Sequence, residues 1–261
     1  MSGTTLGPWL RRYQHRPAAA VRLLCFPHAG GGAGTFRAWD VLLPPSVELV
    51  SVQYPGREDR FADPLVDDMD ELTAQVAAAI ARIIDRPYLV FGHSMGSAVA
   101  YETVQRLRRY GVPEPDWLFV SGRPAPGDVT GGDVHLRDDD GLCAELGRLG
   151  GTDDVVLADP ELRRAVLRYV RNDYRLIETY RPTPAAALSC PVAVLRGGDD
   201  PELSADQAHG WARTTTGKLD VRTFPGDHFY LVPQRRAVVA TIVGKLDPVL
   251  ARAPHGWPST P

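Results

Sequence analysis

The stretch YLVFGHSMGSAVAYE, residues 88–102, constrains this chain more than any other. A short apolar run ends in Gly92-His93-Ser94-Met95-Gly96 and passes into small and apolar residues, which predicts a strand, a tight turn and a helix. Gly92 and Gly96 flank Ser94 at the spacing G-x-S-x-G. Lacking a Cβ on either side, strand and helix can approach closely while the serine takes a strained backbone conformation that pushes its Oγ out of the sheet. A serine hydroxyl is a weak nucleophile until a base removes its proton, so this geometry has a use only if a histidine can reach it. The bland counterpart is a Gly-rich βα turn in a parallel sheet, with the same strand and helix and no partner for Ser94.

The chain around this stretch has 261 residues and 44% hydrophobic composition, enough for one sizeable core. The expected organisation is a single α/β domain over residues 1–261, with a mostly parallel central sheet flanked by helices. Lys and Arg number 29 against 32 Asp and Glu, so there is no basic excess to bind nucleic acid or an anionic membrane. No stretch approaches the ~20 apolar residues of a spanning helix, and the N-terminus lacks a long apolar signal core. A cytoplasmic protein is expected. Cys25, Cys143 and Cys190 are odd in number and widely spaced in apolar surroundings, which suits reduced thiols and not a disulfide frame or a metal site.

In chain order, residues 1–20 are expected to form a loosely held arm, with Trp9 and Leu10 able to dock on the body. VRLLCF, residues 21–26, reads as the first buried strand and runs into Pro27-His28-Ala29-Gly30-Gly31-Gly32-Ala33-Gly34. A Gly-rich loop after a strand can cradle phosphate, but this one lacks both the Lys-Ser/Thr of a P-loop and the G-x-G-x-x-G frame. The favoured alternative is the loop of a hydrolase that aims a backbone N–H at a developing oxyanion. A helix is expected at 35–42, a strand at 47–53 and an amphipathic helix at 67–84, with apolar Leu72, Val76, Ala79, Ile80 and Ile83 at three-and-four spacing. Further strands are predicted at 116–121, 191–195 and 219–224, with helices at 98–110 and 235–250 and a disordered tail at 251–261. Between residues 122 and 187 there is no apolar strand, only helical segments at 140–149 and 161–180. That segment is read as an inserted helical lid, since insertions after a strand of an α/β sheet cover the strand ends where ligands bind; one long crossover loop is the alternative. Asp138-Asp139-Asp140 reads as the solvated start of a helix and not a metal triplet.

Seven histidines compete for the role of base. His15 and His255 lie in the arm and the tail, His135 in the lid segment and His28 in the Gly-rich loop. His93 adjoins Ser94, where neighbouring side chains diverge. His209 falls within a predicted helix, whereas His228 sits on a loop directly beyond a strand, where α/β enzymes present reacting groups. His228 is therefore the expected base. The order on such folds is Ser, then Asp or Glu, then His. Asp199 and Asp200 both end a strand between Ser94 and His228; Asp200, followed by Pro201, is favoured over Asp199. Its task is to accept the Nδ1 proton and leave Nε2 for the serine.

With these residues placed, the chain resembles the type II thioesterases that accompany modular polyketide and non-ribosomal peptide synthetases. The resemblance covers nearly the whole chain. It is carried by LLCFPHAGGGAGTFRAW (23–39), VQYPGRE (52–58), FGHSMGS (91–97), RNDYRLIETY (171–180) and GDHFYL (226–231). It implies an α/β-hydrolase fold with a helical lid over 122–187, and hydrolysis of acyl thioesters from the phosphopantetheine arm of acyl or peptidyl carrier proteins. The implied role is editing, the clearing of stalled or misprimed chains. Carried over by motif, the nucleophile is Ser94, the acid Asp200 and the base His228, with oxyanion donors at the backbone N–H groups of Met95 and Ala29. The resemblance implies no metal and no cofactor beyond the phosphopantetheine that the substrate brings. Rival expectations are a fatty-acyl carrier-protein thioesterase or carboxylesterase, and a non-catalytic carrier-binding protein that keeps the fold.

Overall fold

A strand buried on both faces of a parallel sheet carries a continuous apolar run, and five runs of this chain pair in that way, with a sixth, part-exposed strand at the edge. The computed structural model describes residues 4–128, 131–150 and 159–252. Its strands are β1 (Thr4–Thr5), β2 (Leu10–Arg12), β3 (Val21–Phe26), β4 (Val47–Val52), β5 (Tyr88–His93), β6 (Trp117–Ser121), β7 (Val192–Gly197) and β8 (Leu219–Phe224). They form one eight-stranded sheet in the order β1-β2-β4-β3-β5-β6-β7-β8. Strands β3 to β8 pair in parallel, and β2 joins β4 antiparallel, with Leu10 opposite Val52. The expected loose arm therefore contributes two short strands to the sheet edge, and both Trp9 and Leu10 are buried.

Alternation along the central strands divides the core in two. Leu24 and Phe26, Tyr88 and Val90, and Val192 and Val194 pack on one face, against α2 (Met69–Ala81) and α3 (Met95–Arg109). Leu23 and Cys25, Leu89 and Phe91, and Ala193 and Leu195 pack on the other, with Trp39 of α1 (Arg37–Asp40). The helix expected at 235–250 breaks at Gly244 into two shorter ones that cover the same face, Arg235–Val243 and Leu246–Arg252. Residues 253–261 of the expected tail, with His255, lie outside the described residues.

Between β6 and β7 come α4 (Asp139–Leu149) and α5 (Pro160–Thr179); positions 129–130 and 151–158 of this segment lie outside the described residues. Local sequence sets their ends. Asp138 accepts from the Gly141 amide and Gly150 closes α4 at φ +78°, while Asp159 accepts from the Glu161 and Leu162 amides with Pro160 in the first turn of α5. Val134, Leu142, Leu146, Leu167 and Val170 form a small apolar cluster of their own here. Farther along α5, Leu176 and Ile177 join the main core, and Tyr180 donates a hydrogen bond to the buried Glu102 of α3. Among the described residues no helix is long and apolar enough to cross a membrane.

Candidate active site

The turn from β5 into α3 has the strain that its sequence predicts. Ser94 lies at φ +54°, ψ −121°, in a region that L-residues rarely occupy, and α3 begins at the next residue. Its flanking glycines are required by contact. A Cβ on Gly92 would stand 2.3 Å from the Gly96 carbonyl oxygen, and one on Gly96 would stand 2.1 Å from that of Phe26. The Ser94 amide donates to the Ser121 carbonyl at 2.7 Å, which ties the turn to the end of β6. Ser94 remains partly open to solvent while His93 and Met95 on either side are buried.

Strands β7 and β8 end beside one another and bring in the other two groups. Asp200 follows β7 and His228 follows β8; His228 Nδ1 lies 3.0 Å from Asp200 Oδ1 and 3.1 Å from Oδ2. Both side chains are sealed from solvent. Asp200 Oδ1 also accepts from the Glu202 amide at 2.9 Å, which fixes the carboxylate. Asp199 is exposed, and its part is played by the backbone, where its amide donates to the Gly226 carbonyl at 3.0 Å. Asp227, also a neighbour of His228, turns its carboxylate to the Phe229 amide. Of the adjacent acids, the structure joins Asp200 to His228.

Two histidines set aside by position return in space. The His93 ring centroid lies 5.0 Å from that of His228 and 5.8 Å from that of His28. Burial pushes the His93 pKa well down, with His228 and His28 adding to the shift. Burial, then His228 and Arg57, lower that of His28 to about 3. Both imidazoles are thus neutral near pH 7 and place no charge beside His228. His93 Nδ1 lies 2.9 Å from Ser121 Oγ, which is 2.7 Å from the Tyr230 hydroxyl. Ser97 Oγ lies within hydrogen-bond reach of the Gly92 and Ser121 carbonyls, to which its one proton can be given, and accepts from the Ser121 amide. Ser121, Tyr230 and Ser97 were not singled out from sequence, although the parallel register that sets His93 opposite Ser121 is the signal that places the first of them. Gly122, at φ +63°, completes the floor: a Cβ there would stand 3.0 Å from Cε1 of both His228 and His93.

The Gly-rich loop after β3 borders the same turn. His28, Ala29, Gly30 and Gly31 form a turn closed by the Gly31 amide on the His28 carbonyl at 2.9 Å, with Gly30 at φ +83°. Among the described residues, neither the Ala29 nor the Met95 amide donates a hydrogen bond within the protein. No group of three or more His, Cys, Asp or Glu suited to a metal occurs among the described residues.

A strained serine between close-packed glycines, with a buried His–Asp pair at neighbouring strand ends, is an arrangement suited to acyl transfer. Comparison with known proteins agrees. A thioesterase-domain family model matches residues 21–246. Thioesterase PikA5 of Streptomyces venezuelae is 46% identical over 230 residues, 87% of this chain and 82% of that protein. A probable cadicidin biosynthesis thioesterase of Streptomyces griseus is 43% identical over 244 residues, 94% of this chain and 67% of that protein. The solved structure of the type II thioesterase BorB from the borrelidin biosynthetic cluster has a TM-score of 0.85 at 40% identity, covering 94% of this chain and 100% of its own. From its fold and from matches that span most of its length, the chain belongs to the thioesterase family, among its type II members.

Proposed function

We propose that this protein hydrolyses acyl thioesters presented on the phosphopantetheine arm of acyl or peptidyl carrier proteins, as an editing enzyme of polyketide or non-ribosomal peptide biosynthesis in the cytoplasm. The observation that carries the chemistry is the sealed Asp200–His228 pair, set at the strand ends beside the strained Ser94. His228 donates its Nδ1 proton to Asp200, which fixes the tautomer and leaves Nε2 as the base for Ser94. Ser94 Oγ attacks the thioester carbonyl as His228 takes its proton. The Ala29 and Met95 amides donate to the tetrahedral oxyanion, a role suited to donors that have no acceptor among the described residues. Collapse expels the thiol, which takes the proton back from His228. With a pKa of about 8.5 if it behaves like a cysteine, the thiol leaves more readily than an alkoxide and asks less of the acid. Water, deprotonated by His228, then releases the acyl group from Ser94. The neutral His93 and His28 matter here, because charge on either ring would oppose the imidazolium that forms at each step.

In this scheme the segment 122–187 acts as the lid, with α4 and α5 covering the strand ends and the carrier arm passing beneath them. Support comes from the contact of α5 with the Gly-rich loop, where Val170 Cγ2 lies 3.1 Å from the position of a Gly30 Cβ. The steps draw on the chain, its substrate and one water. The test is release of acid from a panel of acyl-loaded carrier proteins, with labelling of Ser94 by a serine-reactive phosphonate. Release together with labelling at Ser94 supports the scheme. Labelling without release from any carrier would leave a serine hydrolase of small esters, and no labelling would end the assignment of Ser94.

A further inference from the structure

Two of the sequence motifs, VQYPGRE (52–58) and RNDYRLIETY (171–180), supply no group to the chemistry above, yet they meet beside it. Arg57 and Asp173 form a buried two-pronged ion pair: Arg57 Nη2 donates to Asp173 Oδ1 at 2.8 Å and Nη1 donates to Oδ2. The guanidinium lies 4.7 Å from the Tyr169 ring centroid, and Nε donates to the Pro55 carbonyl. As a means of docking α5 such a pair has little advantage, because a well-packed apolar pair of similar volume is often as stabilising. Its remaining bonds point elsewhere. Asp173 Oδ2 also accepts from the Gly30 amide at 2.8 Å, and Arg57 Nη1 donates to the Gly31 carbonyl at 3.2 Å.

Those two groups belong to the 28–31 turn. Its closing bond, with Gly30 at φ +83°, matches a type II turn, and the Ala29 N–H lies on the peptide that opens it, between His28 and Ala29. The central peptide here is Ala29 C=O to Gly30 N–H, and the carboxylate of α5 holds that N–H. We propose that Asp173, held by Arg57, is a positioning residue for thioester hydrolysis: Asp173 on the Gly30 amide and Arg57 on the Gly31 carbonyl pin the 28–31 turn as a body and so set where the Ala29 amide stands, making the oxyanion site complete only when α5 is seated. This rests on the assignment of Ala29 as an oxyanion donor. It makes α5 more than a cover, since a state with the helix lifted binds substrate but stabilises the tetrahedral intermediate poorly.

Two variants test it. Asp173→Asn removes the charge but strands Arg57. The double variant Arg57→Met/Asp173→Leu removes the Gly30 acceptor without leaving a buried unpaired charge. For each, kcat, KM, affinity for an acyl boronate that forms a tetrahedral adduct on Ser94, and affinity for a non-hydrolysable thioether analogue are measured on the folded full chain. Loss of a whole oxyanion donor costs about 10²–10³ in kcat, so loss of its aim should cost about 10–100-fold. Boronate affinity should fall in step with kcat/KM while KM and thioether affinity stay nearly constant. Unchanged kcat in a folded double variant, or equal loss of boronate and thioether binding, would overturn the proposal. Hydrogen exchange on the wild-type protein keeps it open to refutation if neither variant folds. The Gly30 amide and the α5 amides should gain protection together in the boronate complex, and independent behaviour would refute the coupling. A wild-type protein that neither turns over thioesters nor binds boronate at Ser94 would instead remove the assigned chemistry, leaving the two failures distinct.

Discussion

Ser94, Asp200 and His228 stand on the ends of β5, β7 and β8, whose side chains fill two large apolar clusters, whereas α4 and the first half of α5 close around five buried apolar side chains. Polar links hold much of the second region: Asp173 with Arg57 and Gly30, and Glu178 accepting from the Val134 and His135 amides. Apolar packing is non-directional and cooperative, so it holds the strand ends rigidly together. Bonds between a few polar groups are directional and can be exchanged for water, which lets a segment open while the sheet stays folded. The groups proposed to react sit on the first kind of structure and the helix proposed to cover them on the second.

The comparison breaks most severely at the strand ends. Ser94→Ala and His228→Ala should each lower kcat by roughly 10⁶, as loss of the nucleophile or base does in a comparable enzyme, with the thermal unfolding transition retained. Comparable thioester hydrolysis by either variant would mean that the chemistry lies elsewhere. Next comes the acid: Asp200→Asn should cost about 10⁴ in kcat by favouring the wrong tautomer of His228, and Asp199→Asn, whose side chain is exposed, much less. The reverse ranking would move the role to Asp199.

Two leucines sharpen the contrast. Leu195→Ala in β7 and Leu142→Ala in α4 both empty fully buried positions, a change that typically costs about 2–5 kcal/mol. Leu195→Ala should lower the global urea midpoint. Leu142→Ala should act first as faster hydrogen exchange and proteolysis confined to α4 and α5, and equal global losses would show one cooperative unit. The smallest effect is one of pH. His28 and His93 have pKa values depressed below the ordinary ~6.5 of an unfolded histidine, so the unfolded chain binds more protons than the folded one as pH falls. Their contribution to stability is complete above about pH 6.5 and is lost toward pH 3, the value to which His28 is lowered. Over that window the urea midpoint of His28→Gln should decline less steeply than that of the wild type; parallel slopes would contradict the shift.

The parallel strands were legible because burial on both faces writes them as apolar runs, and the strain at Ser94 because two glycines at fixed spacing have few other uses. Thr4–Thr5 and Leu10–Arg12 read as a loose arm because two or three residues carry no period, and the strand that ties them to the sheet, β4, pairs with the second of them from some forty residues away while the first pairs with the second. Adjacency to Ser94 says little about His93, whose ring meets Ser121 and His228, residues that the sheet and its strand ends bring near. The same limit hid the meeting of Arg57 and Asp173, which are 116 positions apart and join only when a helix lies across a loop. Asp200 was preferred over Asp199 for the proline that follows it, while what separates them in space is that one carboxylate is sealed in and the other faces solvent.

The loops after β7 and β8 touch through backbone: a Cβ on Gly197 would stand 2.1 Å from the Asp227 carbonyl oxygen, and the Asp199 amide is bonded to Gly226. Neither loop can lengthen, shorten or tilt without displacing the other. The proposed acid and base, Asp200 and His228, are in effect delivered as one rigid part. Divergence among relatives should then spare the length of 197–200 and 226–228 while insertions gather in 131–158, and a designer who wished to change what the enzyme accepts could recut that part while keeping Gly122 against His228 and Asp173 on the Gly30 amide.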